Sequence, residues 1–468
     1  MSSDSTFNKA EGGLKGPAGQ AGNKRIEMLR SGPIGSTLFK LSAPAIAGML
    51  VMAVYNVVDT FFVSLLHDTS AIAATGVVFP VFQLAGSIGL TFGLGAASVI
   101  SRKLGARQYK EAHEVAATAL YSAAVVGGIL AVIGVLAVNP LLRIFGATPS
   151  ILETAATYGR IIIGGSIFLV INMTLNNLLR SEGSALYSSI GQMSGAVINI
   201  ILDPIFIFVF DMGIMGAAVA TVIAQAFGTL FLLTFYLRRK GTLNPLSLRH
   251  VRLHISTYKS IMALGLPTFV RQVLGSLSFG VMNNAAGIYG DSAIAAISIN
   301  LRIFGLLFMS LIGLAQGLQP LAGYNFGAGQ KERVRQTISL GFRVAIIIGL
   351  GAGLGGFLGS KSIISVFAAH DEQVIRLGAE ALRYMSLALI PIGLVIMFGG
   401  VFQALGDGRS AMLLASGQQG LFLIPLIIIL PHYFGVTGVF AAMPLGFVFA
   451  FCVGGLLMIR TWRKLLQG

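Results

Sequence analysis

Apolar runs long enough to cross a lipid bilayer dominate this chain of 468 residues and constrain its fold more than any other feature. Between residues 34 and 460 they recur with only short polar breaks. A hydrocarbon core about 30 Å thick requires roughly 20 apolar residues for each spanning helix. Because backbone groups in lipid must be hydrogen-bonded within their own segment, each run is predicted to be a helix. The composition agrees, since only 10% of the residues are charged.

The runs predict twelve transmembrane helices and leave little room for a soluble domain. The polar residues 1–32, rich in Gly, Ser and Lys, are predicted to form a disordered cytoplasmic tail. A basic linker over residues 239–259 divides the remainder into two halves of six spans, residues 33–238 and 260–468. The predicted spans are residues 34–64, 71–101, 115–138, 155–179, 186–210, 214–237, 260–289, 293–322, 337–358, 379–404, 411–432 and 436–460.

The net charge of +15 is spread over the loops rather than collected in a basic domain. Most Lys and Arg residues fall on the side of the predicted bilayer that holds both termini. The other side holds only Arg143, Arg160, Lys361, Arg376 and Arg383. The positive-inside rule therefore predicts that both termini are cytoplasmic. This distribution argues against a nucleic-acid partner and predicts a multi-pass protein of the plasma membrane.

The two halves repeat each other. The segment SAIAA at residues 70–74 recurs at 292–296, GARQ at 105–108 corresponds to GAGQ at 327–330, and GIMG at 213–216 corresponds to GVTG at 435–438. All three pairs share one offset of 222 residues, as from 70 to 292. Because six spans is an even number, both halves enter the bilayer in the same orientation. The predicted fold is therefore all-α, with twelve transmembrane helices in two six-helix lobes related by a pseudo-two-fold axis along the membrane normal.

Two acidic residues, Asp59 and Asp203, lie deep inside predicted spans, whereas the other acids fall in tails, loops or helix ends. A charge at the bilayer centre costs about 2.5–3.5 kcal/mol on insertion scales, so such residues usually line a cavity and have a function. Tyr55 and Asn199 precede the two acids by four residues, so each pair shares one helix face. Two carboxyls, an amide and a hydroxyl suit H⁺ or Na⁺. A pair of structural acids held by hydrogen bonds is the alternative.

Two prolines, Pro44 and Pro204, are predicted to be hinges, because proline cannot donate the backbone hydrogen bond that a continuous helix requires. The alternative is that they are ordinary membrane-helix prolines. Polar and methionine side chains within the spans are predicted to line the substrate cavity, since flexible methionines repack around varied ligands. These are Gln83, Met173, Asn176, Met193, Asn283, Asn284, Asn300 and Met309.

Residues 44–59 (PAIAGMLVMAVYNVVD) and 199–204 (NIILDP) resemble the multidrug and toxic compound extrusion (MATE) family. The resemblance extends over nearly all of the chain after the tail and includes the LGARQ and FGAGQK loops. It implies twelve helices in two lobes that form a V, and drug efflux coupled to the inward movement of H⁺ or Na⁺.

The chain is similar to the branch of this family whose cation site lies in the N-terminal lobe. The resemblance implies that Asp59, Asp203, Asn199 and Thr221 form this site and bind the metal if the coupling ion is Na⁺. It makes Tyr55 a hydrogen-bonding neighbour. Another branch uses acids in the C-terminal lobe, but the predicted spans there carry only arginines in their interiors.

The sequence thus predicts a secondary active antiporter that exports amphipathic, often cationic, small molecules in exchange for H⁺ or Na⁺ by alternating access. It is expected to need no cofactor, to bind drugs or organic cations, and to act as a monomer surrounded by membrane lipids. The alternative within the same architecture is a flippase for a lipid-linked substrate. An enzyme is not expected, because the sequence has no Walker A motif and no clustered nucleophile, base or metal-ligand set.

Overall fold

The computed structural model describes residues 17–66, 68–237, 246–367 and 371–467, and these are helical almost throughout. Within these ranges ten helices are long and apolar enough to cross a membrane. Two further pairs of helices, each bent at a short break, make one span apiece, which gives up to twelve. The predicted all-α membrane fold is confirmed.

The N-terminal lobe follows a short helix, α1 (Pro17–Ser31), and contains six spans. Its fourth span is bent by 41° between α6 and α7, and its fifth ends in a π-helical turn. In order, the helices are α2 (Ile34–Ser64), α3 (Thr69–Gly105), α4 (Tyr109–Leu136), the short α5 (Val138–Ile144), α6 (Leu152–Gly164), α7 (Ser166–Ser181), α8 (Ala185–Pro204) with the π turn Ile205–Val209, and α9 (Gly213–Leu237).

The C-terminal lobe repeats this order, including the short helix after the third span, a bend of 51° in the fourth and a π turn in the fifth. A 3₁₀ turn at Leu248–His250 precedes it. Its helices are α10 (Ile255–Gly287), α11 (Asp291–Gly327), α12 (Lys331–Leu358), the short α13 (Ser360–Phe367), α14 (Glu372–Leu387), α15 (Leu389–Leu405), α16 (Gly408–Ser416), the π turn Gly417–Phe422, α17 (Leu423–Phe434) and α18 (Val436–Gln467).

The ends of the lobes differ from the prediction. Residues 17–31, expected to be disordered, form α1, in which Leu29 is buried. The Leu29 carbonyl accepts a hydrogen bond of 3.1 Å from Asn325 Nδ2 and one of 3.4 Å from Arg333 Nη2. The polar composition of the tail concealed this docking residue. Residues 1–16 and 238–245 lie outside the described residues, and α10 begins before the linker was predicted to end.

The lobes meet through long helices whose backbones touch at glycines, with α3 packed against α10 and α11, and α2 against α11. A Cβ atom on Gly95 would lie 2.2 Å from the Ile261 carbonyl oxygen, and one on Gly265 would lie 2.0 Å from that of Thr91. Small residues allow this close approach between membrane helices. These contacts lie in the half of the bundle that contains the start of α2 and the end of α3, so they close the space between the lobes at that end.

A further glycine pair, related by the repeat offset, tightens the same end. A Cβ on Gly105 of α3 would lie 1.9 Å from the Tyr324 carbonyl oxygen, and one on Gly327 of α11 would lie 2.0 Å from that of Arg102. Both partner atoms belong to backbone, which cannot rotate away as a side chain can. Each lobe therefore contributes an equivalent glycine to the interface.

We predict that Gly265→Ala destabilises the protein by about 1–3 kcal/mol, because the added methyl group overpacks the interface. The matched control is Gly280→Ala in the same helix, where a Cβ would meet nothing within 4 Å. This control should be neutral or stabilising by about 0.5–1 kcal/mol, since alanine favours helix. Thermal unfolding of the purified variants checks the pair, and equal melting temperatures would contradict the described interface.

Candidate functional site

The two acids predicted to lie inside the membrane are brought together by α2 and α8, which pack side by side. Asp203, in the last turn of α8, is fully buried, and Asp59 of α2 is half-buried. The two carboxyl groups are close enough to interact electrostatically. Two ionised carboxylates repel, so this arrangement requires a proton on one of them or a cation beside them.

An amide and a hydroxyl complete the cluster. Asn199 Nδ2, one turn before Asp203 on α8, donates to Asp203 Oδ1 at 3.1 Å and to Thr221 Oγ1 at 3.4 Å. Thr221 comes from α9, which packs against α8 and α2. Tyr55 is buried close to Thr221 and both acids. The structure therefore brings together all five residues that were predicted to form the coupling site, and we call these five the carboxyl cluster.

Two buried oxygens of the carboxyl cluster have no hydrogen-bond donor in the part of the chain that is described, namely Asp203 Oδ2 and Asn199 Oδ1. An unsatisfied buried acceptor costs about 1–3 kcal/mol. A proton on the carboxyl group or a cation bound between the oxygens would remove this cost. The donor set is made of oxygens only, which fits H⁺ or a hard cation such as Na⁺ and lacks the soft ligands of transition metals.

Tyr158 of α6 also lies beside both acids, and sequence reasoning missed it. It packs against the small apolar cluster formed by Val63, Ile207 and Ala217. No helical spacing relates it to Asp59 or Asp203, because it is on a separate helix. The available signal was that Tyr158 is the one tyrosine in the fourth predicted span.

The two predicted hinges differ in their local structure. Helix α8 ends at Pro204, and the backbone continues as a π turn directly beside Asp203. Helix α2 runs without interruption through Pro44. Their role as hinges stays a prediction.

A large cavity lies between the lobes, with a volume of about 1740 Å³ including its open mouth. Helices of both lobes form its wall, chiefly α2, α3 and α7 on one side and α10, α11 and α15 on the other. Four of the residues predicted to line a substrate cavity are in this wall: Gln83, Met173, Asn176 and Met309. Ten amide side chains and four methionines belong to the wall, as expected for a site that adapts to different ligands.

The other four predicted residues lie away from the cavity wall. Asn300 is buried, and its Nδ2 donates to the carbonyls of Ala296 at 2.8 Å and Gly378 at 3.0 Å, so it joins α11 to α14. The remaining three are partly or fully exposed elsewhere, namely Met193, Asn283 and Asn284. Residue type alone did not reveal which face of each helix points inward.

Two arginines also belong to the cavity wall, Arg180 of α7 and Arg271 of α10. Arg180 is only 6% exposed. Its Nε donates to Ser188 Oγ at 2.9 Å, and its Nη atoms donate to the Oε1 atoms of Gln192 and Gln316. Gln316 belongs to the opposite lobe, so Arg180 links the two lobes. The sequence placed Arg180 after the end of its span, which is why it was not predicted as a cavity residue.

The same chain matches the family model MatE twice, over residues 44–205 and 267–429, with one match in each lobe. The chain belongs to the MatE family. Its members are membrane transporters rather than enzymes, and the family resemblance seen in the sequence is confirmed.

Several relatives cover most of this MatE protein. A protein named multidrug export protein MepA from Staphylococcus haemolyticus is 31% identical over 415 residues, which are 86% of this chain and 89% of the relative. The protein of the same name from Staphylococcus aureus is 27% identical over 419 residues, 89% of this chain and 92% of the relative.

Solved structures agree with the fold. An outward-facing conformation of a multidrug resistance MATE family transporter superposes with a TM-score of 0.89 at 27% identity, covering 95% of this chain and 99% of that one. A transporter of the MOP superfamily from Pyrococcus furiosus, whose binding pocket is described as reversed in polarity, superposes with a TM-score of 0.88 at 27% identity. The match covers 94% of this chain and 98% of that one.

We predict that Thr221→Val destabilises the protein by about 1 kcal/mol, because the Asn199 amide then loses a buried acceptor. The control is Thr60→Val on α2, whose hydroxyl donates to the Asn56 carbonyl on an exposed helix face. That change should stay within about 0.5 kcal/mol. Melting temperatures measured side by side test this, and an equal or larger loss in Thr60→Val would contradict the assigned hydrogen bonds.

Proposed function

We propose that this MatE protein is a secondary antiporter that exports amphipathic small molecules across the plasma membrane in exchange for H⁺ or Na⁺. The proposal rests on the buried carboxyl cluster, because its two oxygens without a hydrogen-bond donor among the described residues would be satisfied by a small cation. The names of the staphylococcal relatives support drug-like substrates and a bacterial plasma membrane, and they favour this function over a lipid flippase.

The cluster and the cavity share helices. Asn56 of α2 lines the cavity one turn before Asp59, and Gln192 of α8 lines it two turns before Asn199. A narrow space lined by Met52, Gln192 and Asn199, among others, reaches from the cavity wall to the cluster. A cation that draws α2 and α8 together at the cluster therefore changes the shape of the substrate wall.

The closed end of the lobe interface defines the direction in which the cavity is accessible. The glycine contacts of α3 with α10 and α11 close the end that carries both termini. The distribution of basic residues supports a cytoplasmic location for that end. We therefore propose that this conformation is outward-facing, like that of the similar transporter solved in such a state.

Alternating access then follows from differential binding. A ligand shifts two conformations only to the extent that it binds one of them better. In this scheme a cation reaches Asp59 and Asp203 from the outside, and its binding favours release of the exported molecule and the return to an inward-facing state. Pro44 and Pro204 are proposed as the points at which α2 and α8 bend. Both sites lie within one chain, so a monomer surrounded by lipid is sufficient.

We predict that Asp59→Asn and Asp203→Asn each reduce gradient-driven efflux to the rate of protein-free vesicles, because an amide cannot exchange a proton or neutralise Na⁺. Proteoliposomes loaded with fluorescent amphipathic dyes of positive, zero and negative charge provide the measurement. The pH gradient and the sodium gradient are imposed separately, so that the ion which drives efflux is identified.

The control for this prediction is Asp211→Asn, which neutralises an exposed acid in the same lobe. Asp211 adopts a positive φ of 52°, which asparagine tolerates well, so this variant should fold and transport normally. Efflux at the wild-type rate by folded Asp59→Asn or Asp203→Asn would disprove the coupling role of the cluster.

A further inference from the structure

We propose that the central cavity selects amphipathic molecules that carry an oxyanion such as a carboxylate, and that Arg271 and Arg180 bind this group. The proposal rests on the export function proposed above and specifies its substrate class. It departs from the organic cations that the sequence led us to expect.

The charge of the cavity wall is the first observation. Among the described residues that line it, the charged side chains are Arg180 and Arg271, and none is Asp, Glu or Lys. The two acids of the carboxyl cluster are not in this wall. An organic cation in the cavity would therefore meet two charges of its own sign and no carboxylate, whereas an anion would meet complementary charge from both lobes.

The second observation is that neither guanidinium has a counter-charge within the described part of the chain. The ion pairs found there join other residues. Arg180 is buried and is held by a serine hydroxyl and two glutamine amides, all of them neutral. An arginine is effectively always charged, and withdrawing such a charge from water costs several kcal/mol unless an anion compensates it. A bound anionic substrate supplies that compensation.

The two arginines line the same cavity from opposite lobes, and both have N–H groups available for an anion. A guanidinium has five N–H donors. Arg180 uses three of its nitrogens for Ser188, Gln192 and Gln316, which fixes its orientation and leaves N–H groups for a ligand. Arg271 makes no hydrogen bond within the described ranges, so its whole fork is available for bidentate binding of a carboxylate. Methionines such as Met173 and Met309 in the same wall suit the apolar body of the ligand.

An anion bridging Arg271 and Arg180 is also sensitive to conformation, because the two arginines belong to different lobes. When the separation of the lobes changes, the anion can no longer contact Arg271 and Arg180 at the same time. The substrate therefore binds the two conformations with different affinity, which is the property that an exporter requires.

The test compares three probes with the same pyrene body: pyrenebutyrate, which is anionic, pyrenebutanol, which is neutral, and pyrenebutylamine, which is cationic. Calorimetric titration into the detergent-solubilised full-length protein, corrected with protein-free micelles, gives their affinities. We expect pyrenebutyrate to bind at least about tenfold more tightly than pyrenebutanol, and pyrenebutylamine to bind most weakly.

Substitution of the free arginine provides the decisive comparison. Arg271→Gln leaves only Arg180 to bind the carboxylate, so it should lower the affinity for pyrenebutyrate toward that for pyrenebutanol and leave pyrenebutanol unaffected, and Arg271→Lys should restore part of the lost preference. The matched control is Arg302→Gln, which removes an exposed arginine of the neighbouring helix outside the cavity wall and should behave as wild type.

A preference for pyrenebutylamine, or a preference for pyrenebutyrate that is undiminished in folded Arg271→Gln protein, would overturn the inference. Binding is measured without any gradient, so the outcome is separable from the proposed function. A retained anion preference together with loss of gradient-driven efflux counts against antiport alone. Gradient-driven efflux of cationic dyes without an anion preference counts against the substrate class alone.

Discussion

The burial of two neighbouring carboxyl groups is the constraint on which the rest of this structure depends. Charge at this depth is costly, and two carboxylates in mutual reach add repulsion to that cost. Asn199 Nδ2 donates to one oxygen of Asp203 and also to Thr221 Oγ1, whereas the other oxygen of Asp203 has no donor among the described residues. Without a proton or a cation, the cluster therefore keeps buried oxygens that lack a partner within the described ranges, and a bound proton or cation supplies that partner.

The two-lobe architecture connects the carboxyl cluster to the cavity between the lobes. The carboxyl cluster lies within one lobe, on helices that also form the cavity wall, whereas the wall is shared with the other lobe. At one end the lobes are joined by backbone contacts at glycines such as Gly95 and Gly265. Close-packed contacts of this kind are broken or kept together. The two lobes are therefore expected to adopt two discrete arrangements and not a continuous range of separations.

The sequence predicted the architecture well because the bilayer imposes a simple rule. The spans appear in the sequence as apolar runs, and the repeat offset of 222 residues relates the two lobes. The predicted ends of the spans were less accurate. For α3, for example, residues 71–101 were predicted, whereas the helix covers Thr69–Gly105. Polar residues can extend a helix beyond the lipid, and hydropathy does not detect them. The docking of Leu29 in α1 was missed for a related reason, since it depends on Asn325 in the other lobe.

The site was predictable only in part. Asp59, Asp203 and Asn199 stood out because acids are rare in apolar spans and helical spacing links neighbours on one face, whereas Thr221 was found through the family resemblance alone. Helices that are apolar on all sides carry little information about which face points inward. Asn176 and Asn300 thus looked alike, although one lines the cavity and the other joins two helices. Tyr158 and Arg180 acquire their positions only through tertiary packing.

In the proposed mechanism, occupation of the carboxyl cluster by a small cation sets the direction in which the cavity opens. The most direct measurement is the distance between spin labels at Leu65 in one lobe and Ile288 in the other, with the native Cys452 replaced by serine. We expect this distance to change with pH or with Na⁺ concentration, and we expect the change to disappear when Asp59 and Asp203 are both replaced by asparagine. A distance that responds identically in that double variant would contradict it.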